Sequence, residues 1–461
     1  MADADRLMVS VSGVRGTIGR TLTPQIATEF GLAFANFLGA HGGAVRGKVA
    51  MGRDTRPSGA MVRAAVATGL MAGGVDVVDL GVVTTPGAAL MTGELGCDGG
   101  VIVTASHNPP AYNGIKFLQP SGVGLSAEMA NRLKAIWEAK DFHYAPAEQT
   151  GGEERCETTH ERHIAAVLDT CDAALISGKR FKVVLDSING AGCVVTPRLL
   201  EEFGCEVVHL NSEPTGRFAH TPEPIEENLT GLCEAVKEHD AAVGFAQDPD
   251  ADRLVVIADG GRFIGEEYTL ALAAAFVLRH RKGNMATNLA TSRMIDDIAA
   301  GAGVQVIRTP TGEANVVEGM MREGCIFGGE GNGGVIDPRV VPVRNSLVGM
   351  AMLLQYMAET GRSLSDLAAE IPAYVMRKTK FPAPAGAAPR VAEMAKEHFA
   401  GRDGARLDEA DGLRVDLPEG WVSVRASNTE PIMRIMAEAK DTATADGLVD
   451  EVRAIADEVI G

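Results

Sequence analysis

A chain of 461 residues with a formal net charge of −18 is too long for one core and too acidic for nucleic acid or an anionic membrane, which both need a basic surface. Hydrophobic residues make up 46% and charged residues 23%, an ordinary globular balance, and the longest apolar run, 269–278, is short of the roughly 20 residues that span a bilayer. Polar residues at 1–6 predict no secretory signal, and seven scattered cysteines without a C-x-x-C pair predict reduced thiols in a cytoplasmic protein.

The first three quarters alternate short β-branched runs with alanine-rich stretches, the rhythm of an α/β protein. A helix over 24–38, a strand over 49–52, a helix over 58–72 and a strand over 75–80 lead to a buried strand at 101–103. Residues 141–154 mix Pro, Gly and charge as a linker does. The theme repeats with strands at 181–185, 207–210 and 241–246, a helix beginning near Thr196, and a hairpin over 254–264 with an Asp-Gly turn. A third unit runs from Gly265 through strands at 304–307 and 325–327 to a helix over 347–357. The last changes character: a strand over 374–380, a helix near 391–399, an antiparallel hairpin over 413–426, and a closing helix with Leu448, Val452, Ile455 and Val459 on one face. These units divide the chain at 1–150, 155–260, 261–372 and 373–461, with a hinge near Pro372.

Four segments carry chemistry. Val101-Ile-Val-Thr-Ala-Ser-His-Asn-Pro-Pro110 ends its strand on a hydroxyl and an imidazole, Ser106 and His107, where open α/β sheets place their ligands; the same residues also suit a plain turn. Asp248-Pro-Asp-Ala-Asp252-Arg253 sets three carboxylates at alternate positions after a strand. In an extended loop such side chains share a side, so three oxygens converge on a hard cation such as Mg²⁺. An EF-hand fails on spacing, because Arg253 and Asp259 fall where Gly and Glu belong. The glycine-rich run 328–334 offers Glu330 and Asn332 to sugar hydroxyls, or is simply a flexible turn. Arg425-Ala-Ser-Asn-Thr-Glu-Pro431 suits a phosphate or a helix cap, while Arg15 and Lys116 suit the same pocket or the surface.

In this order, the four segments resemble the loops of the α-D-phosphohexomutases, the family of phosphoglucomutases, phosphomannomutases and phosphoglucosamine mutases, across nearly the whole chain. The resemblance implies three related α/β domains plus a smaller C-terminal α+β domain around a central active-site cleft. Ser106 would carry the phosphoryl group, with His107 next to it, Lys116 as acid/base and Arg15 beside them. Asp248, Asp250 and Asp252 would hold Mg²⁺ with a phosphoserine oxygen, and Arg253, Glu330 and Asn332 would contact the substrate. Arg425, Ser427, Asn428 and Thr429 would clamp the non-reacting phosphate. A phosphosugar substrate, a hexose 1,6-bisphosphate activator and a monomer or homodimer complete the expectation.

Two departures bear on specificity. Asn332 stands where many members have Ser, and Gly334 where they have His, so a histidine contact is missing and Glu313 is a candidate to supply part of it. The Glu-Gly-Asn-Gly-Gly variant resembles archaeal-type phosphoglucosamine mutases, which puts glucosamine phosphate ahead of glucose or mannose phosphate. The rivals are a phosphatase using the same serine and a non-catalytic phosphosugar sensor, which would need neither the serine nor the aspartates.

Overall fold

The computed structural model describes residues 6–39, 47–384, 386–426 and 432–460. Four sheets follow one another along the chain. In the first, the fully buried strand Gly99–Val103 lies parallel to Lys48–Arg53 and antiparallel to Tyr112–Leu118. Its β-branched run suits a two-sided burial, and Pro109 and Pro110, unable to extend the ladder, turn the chain back as a hairpin. The second sheet places Val243–Gln247 parallel to Lys182–Asp186 and antiparallel to Leu254–Ala258. The third is built on Met285–Asn288, parallel to both Val306–Thr309 and Phe327–Glu330. The fourth is wholly antiparallel and is covered by the helices Ala387–Phe399 and Thr442–Ile460. The architecture is thus three α/β units and a different C-terminal one.

Three segments differ from their sequence reading. The stretch 141–154 is not a bare linker: it leads into Glu153–Arg155, which adds a parallel edge strand to the first sheet beside Asp76–Val82. Arg15, which the sequence reading assigns to no element, lies in the strand Gly13–Thr17, paired with Tyr112–Leu118. The glycine-rich run is a hairpin of Phe327–Glu330 and Gly334–Ile336, with Glu330 directly opposite Gly334. Glycine content hid this strand pairing, because side-chain periodicity vanishes where side chains do.

One continuous apolar core runs through the first three units, joining residues such as Ile102, Leu185, Val256, Leu270 and Leu347. The last unit has its own core around Val391, Phe399, Val424, Ile435 and Val452. Its seam with the third unit is polar. Arg293 meets Asp416 at 3.2 Å, and its backbone N–H donates to Glu438 at 2.9 Å. Arg414 is paired with Asp416 at 2.9 Å and also donates to the carbonyl of Leu289. Among the described residues no helix is long and apolar enough to cross a membrane, and all seven cysteines are free thiols.

Candidate active site

Ser106 is held by a chain of buried polar contacts. Its backbone takes the left-handed φ of +48°, a strained conformation for a residue with a Cβ. Thr104 Oγ1 accepts from the Ser106 N–H at 3.0 Å and donates to Asp54 Oδ2 at 2.7 Å. The wholly buried Arg56 is paired with Asp54 at 3.1 Å and donates to the carbonyl oxygens of Ser106, Asn108, Pro109 and Tyr112. This loop has no regular ladder of its own, so a buried arginine supplies its missing donors. Sequence reading gave Asp54 and Arg56 no role; their signal was a charged cluster directly after an apolar strand.

The serine hydroxyl donates to Asp248 Oδ2 at 2.9 Å across 142 residues of sequence, and His107 Nδ1 lies 3.4 Å from Ser106 Oγ. Arg253 first, then burial and Arg15, push the His107 imidazole down to about 2, so its ring is neutral. Arg15 reaches the loop too, donating to Asn108 Oδ1 at 3.1 Å.

The acidic segment is a tight turn rather than the extended loop expected. The N–H groups of Asp252 and Arg253 both fold back on Asp248 Oδ1 at 3.2 Å, and Ala251 has φ +55°. The three carboxylates still converge, with ligand oxygens all within 4.8 Å of one another. All three aspartates are fully buried. Burial, then Asp252 and Asp250, push Asp248 up. Burial also works against ionisation of Asp250, but Lys116 and Thr85 hold its carboxyl below the usual range. Lys116 Nζ donates to Asp250 Oδ2 at 3.0 Å, and Thr85 Oγ1 donates to the same oxygen at 2.6 Å. Asp250 Oδ1 and Asp252 Oδ1 are buried and accept no hydrogen bond from the described residues. Three converging carboxylates with orphaned oxygens fit a hard divalent cation, so the triad can hold a metal.

The glycine hairpin docks on this turn. The N–H of Leu254 donates to Gly333 O at 2.9 Å, and a Cβ on Gly333 would meet the Leu254 carbonyl oxygen at 2.3 Å. Glu330 accepts from Asn288 Nδ2 at 2.7 Å, from the Gly312 N–H at 3.2 Å and from Arg344 Nη1 at 2.7 Å. Asn332 Oδ1 is buried without a hydrogen-bond partner among the described residues. Glu313 opens the helix Glu313–Glu323 and is ion-paired with Arg344 at 2.6 Å. The structure therefore brings Arg15, Ser106, His107, Lys116, the three aspartates, Arg253 and Glu330 into one connected network.

Arg425, in the strand Gly420–Ala426, approaches from the last unit. It stands 4.0 Å from Asp411, which accepts from the Thr311 N–H at 3.1 Å. Ser427, Asn428 and Thr429 lie outside the described residues.

A serine set against an acidic turn able to hold a metal, at the meeting of three α/β units, is an arrangement suited to a phosphoryl-transfer enzyme. The phosphoglucomutase/phosphomannomutase family matches this chain in order: alpha/beta/alpha domain I over residues 6–144, domain II over 161–261, domain III over 265–374 and the C-terminal domain over 376–455. The chain belongs to that family and is a phosphohexomutase, an isomerase. It is 42% identical over 430 residues to a phosphoglucomutase/phosphomannomutase of Thermococcus kodakarensis, covering 93% of each chain. It is 39% identical to a probable phosphoglucosamine mutase of Methanopyrus kandleri, covering 97% of this chain and 98% of that one. The crystal structure of a phosphoglucomutase/phosphomannomutase family protein from Burkholderia thailandensis superposes with a TM-score of 0.85 at 29% identity, covering 98% of both chains.

Proposed function

We propose that this phosphohexomutase interconverts hexose 6-phosphate and hexose 1-phosphate through phosphorylated Ser106 and a 1,6-bisphosphate, with glucosamine phosphate as its preferred sugar. The observation that carries the reading is the 2.9 Å hydrogen bond from Ser106 Oγ to Asp248, which puts the hydroxyl against the cation-binding carboxylates. Phosphoryl transfer asks mainly for position and charge neutralisation, and both converge on that oxygen.

In the forward half-reaction the P–Oγ bond of phosphoserine breaks as a bond forms from phosphorus to O1 of the 6-phosphate. Lys116, kept protonated by Asp250 and Asp252 against the pull of burial, gives its proton to Oγ. The hydroxyl proton of O1 returns to the Lys116 amine, so no net proton is taken up. The bisphosphate then turns, and the same steps run in reverse at O6. Mg²⁺ held by Asp248, Asp250 and Asp252 would neutralise the phosphoryl oxygens. The neutral His107 ring orients Oγ, and Arg15 and Arg253 draw the phosphoryl group into place. Glu330 and the unpartnered amide oxygen of Asn332 meet the sugar, while Arg425 with Ser427, Asn428 and Thr429 grips the distal phosphate without reading the ring.

The relative named phosphoglucosamine mutase and the Asn332 variant favour glucosamine; the relative named phosphoglucomutase/phosphomannomutase favours glucose or mannose as the second reading. Mutase rates on the 6-phosphates of glucosamine, glucose and mannose, with Mg²⁺ and a hexose 1,6-bisphosphate activator, decide between them. Mass analysis after bisphosphate treatment should place phosphate on Ser106, and Ser106→Ala should stay folded and lose nearly all turnover. Release of inorganic phosphate in place of isomerisation would overturn the mutase reading in favour of a phosphatase. A cytoplasmic setting agrees with the seven free thiols.

A further inference from the structure

One arginine outside every segment singled out by sequence ties the site together. Arg344 lies just before the helix Ser346–Thr360, where Asn345 caps the first turn through the N–H groups of Leu347 and Val348. Its guanidinium meets three carboxylates from three separate segments: Asp252 Oδ2 at 2.6 Å, Glu330 Oε2 at 2.7 Å and Glu313 Oε2 at 2.6 Å. Burial opposes its charge, but Asp252, Glu313 and Glu330 together hold it firmly protonated. A lysine ammonium cannot reach three diverging carboxylates at once; a planar fork can.

The stem of this side chain fills a definite space. A Cβ built on Gly334 would stand 2.2 Å from Arg344 Cδ and 2.8 Å from Cγ, with Asn332 Oδ1 next at 3.2 Å. The backbone of Gly334 is not in the left-handed region, so the chief obstacle to a side chain there is Arg344. Glycine at 334 and arginine at 344 are therefore one fitted pair. Removing the guanidinium would leave the buried carboxylates of Asp252 and Glu330, and the half-buried one of Glu313, without the cation they share.

We propose that Arg344 is a positioning residue that takes over the space of the missing residue-334 side chain and locks the sugar hairpin to the metal-binding turn. It acts through Glu330 and Asp252, and the inference rests on the roles given to those two residues above. Because the lock sets the height of Glu330 over the sugar, it bears on which hexose fits as well as on rate.

The test compares Arg344→Lys, Gly334→Ala and the double variant. Each is assayed for kcat and KM on the three hexose 6-phosphates, and for binding of the same sugars by calorimetry in metal-free buffer. Arg344→Lys is expected to lose about 10²-fold in kcat/KM, as small misplacements near a reacting centre do, and to compress the ranking among the sugars. Gly334→Ala, which leaves the arginine present but displaces its stem, should reproduce that pattern, and the double variant should be no worse than either single one. A purely structural role would lower the melting temperature and leave the sugar ratios alone. Two folded single variants with parental ratios and kcat, or losses that simply add, would overturn the inference. If the parent protein isomerised none of the sugars, the catalytic reading would fail instead. Calorimetry would still decide the lock, with weaker binding of the parent's preferred sugar in both variants supporting it and unchanged binding refuting it.

Discussion

Arg56 and Ser106 are bound to each other through the main chain: the arginine Nη2 donates to the serine carbonyl oxygen at 2.6 Å from a wholly buried position. The arginine thus fixes the backbone of the proposed nucleophile rather than its hydroxyl. Its four carbonyl partners, on Ser106, Asn108, Pro109 and Tyr112, span the whole exit of the strand. Arg56→Lys keeps the charge beside Asp54 but loses most of these bonds. A stability loss of about 3 kcal/mol is expected in denaturant titration. Uptake of phosphate onto Ser106 from a bisphosphate should fall roughly 10²-fold as the left-handed turn relaxes. Parental phosphorylation kinetics in a folded Arg56→Lys protein would show that the loop holds itself.

The acidic turn predicts a metal-dependent enzyme whose stability follows the ion. Chelation should abolish isomerisation and Mg²⁺ should restore it. An ion that binds only the folded form at 100 times its Kd adds about 2.7 kcal/mol, read as a rise in melting temperature. Asp252→Asn should blunt that rise, because the orphaned Oδ1 is lost as an anionic ligand. Full turnover in exhaustively metal-free protein would remove the ion from the reaction.

His163 predicts a pH dependence of folding. It is 1% exposed, wedged between Thr84 Oγ1 at 3.5 Å and Asn345 Nδ2 at 2.9 Å, so Nε2 accepts and the ring is neutral. Burial holds it down to about 4, against an ordinary 6.5. Between those values the unfolded chain binds a proton that the folded one refuses, so stability falls as pH drops from 6.5 towards 4 and is unaffected above 6.5. The shift corresponds to about 3 kcal/mol at most. Glu267, raised by burial to about 8, works in the opposite sense, its contribution being lost as pH climbs from 4.5 to 8. The measurement is therefore the difference between parent and His163→Gln: the variant should gain relative stability as pH is lowered from 6.5 to 4. A constant difference would place the titration elsewhere.

Much of the site was legible because its parts sit where strands end. Ser106, Asp248 and Glu330 each follow or close a β-branched or glycine-bearing strand, and such ends are visible as apolar runs meeting polar turns. The tight form of the acidic turn was not legible, since alternation of carboxylates suggests extension while Asp248 in fact gathers two N–H groups onto itself. Arg344 escaped for a different reason. It stands in no motif of the sequence, between a valine-rich run and a helix start, and only the three-dimensional meeting of Asp252, Glu313 and Glu330 gives it meaning. The edge strand Glu153–Arg155 was hidden by its charge, which is what an exposed sheet edge favours.

The polar seam between the third and fourth units has a thermodynamic consequence. The fourth unit closes its own apolar core, and what it presents to Arg293 of its neighbour, at Asp416 and Glu438 with Arg414 beside them, is charge. Parting such a seam would wet ions rather than hydrocarbon, so a separation of this unit would lack the positive heat-capacity change that exposed hydrocarbon gives. Temperature would then be a weak handle on such a separation. Ionic strength is the strong one, and it enters as the wetted charges are screened over the Debye length.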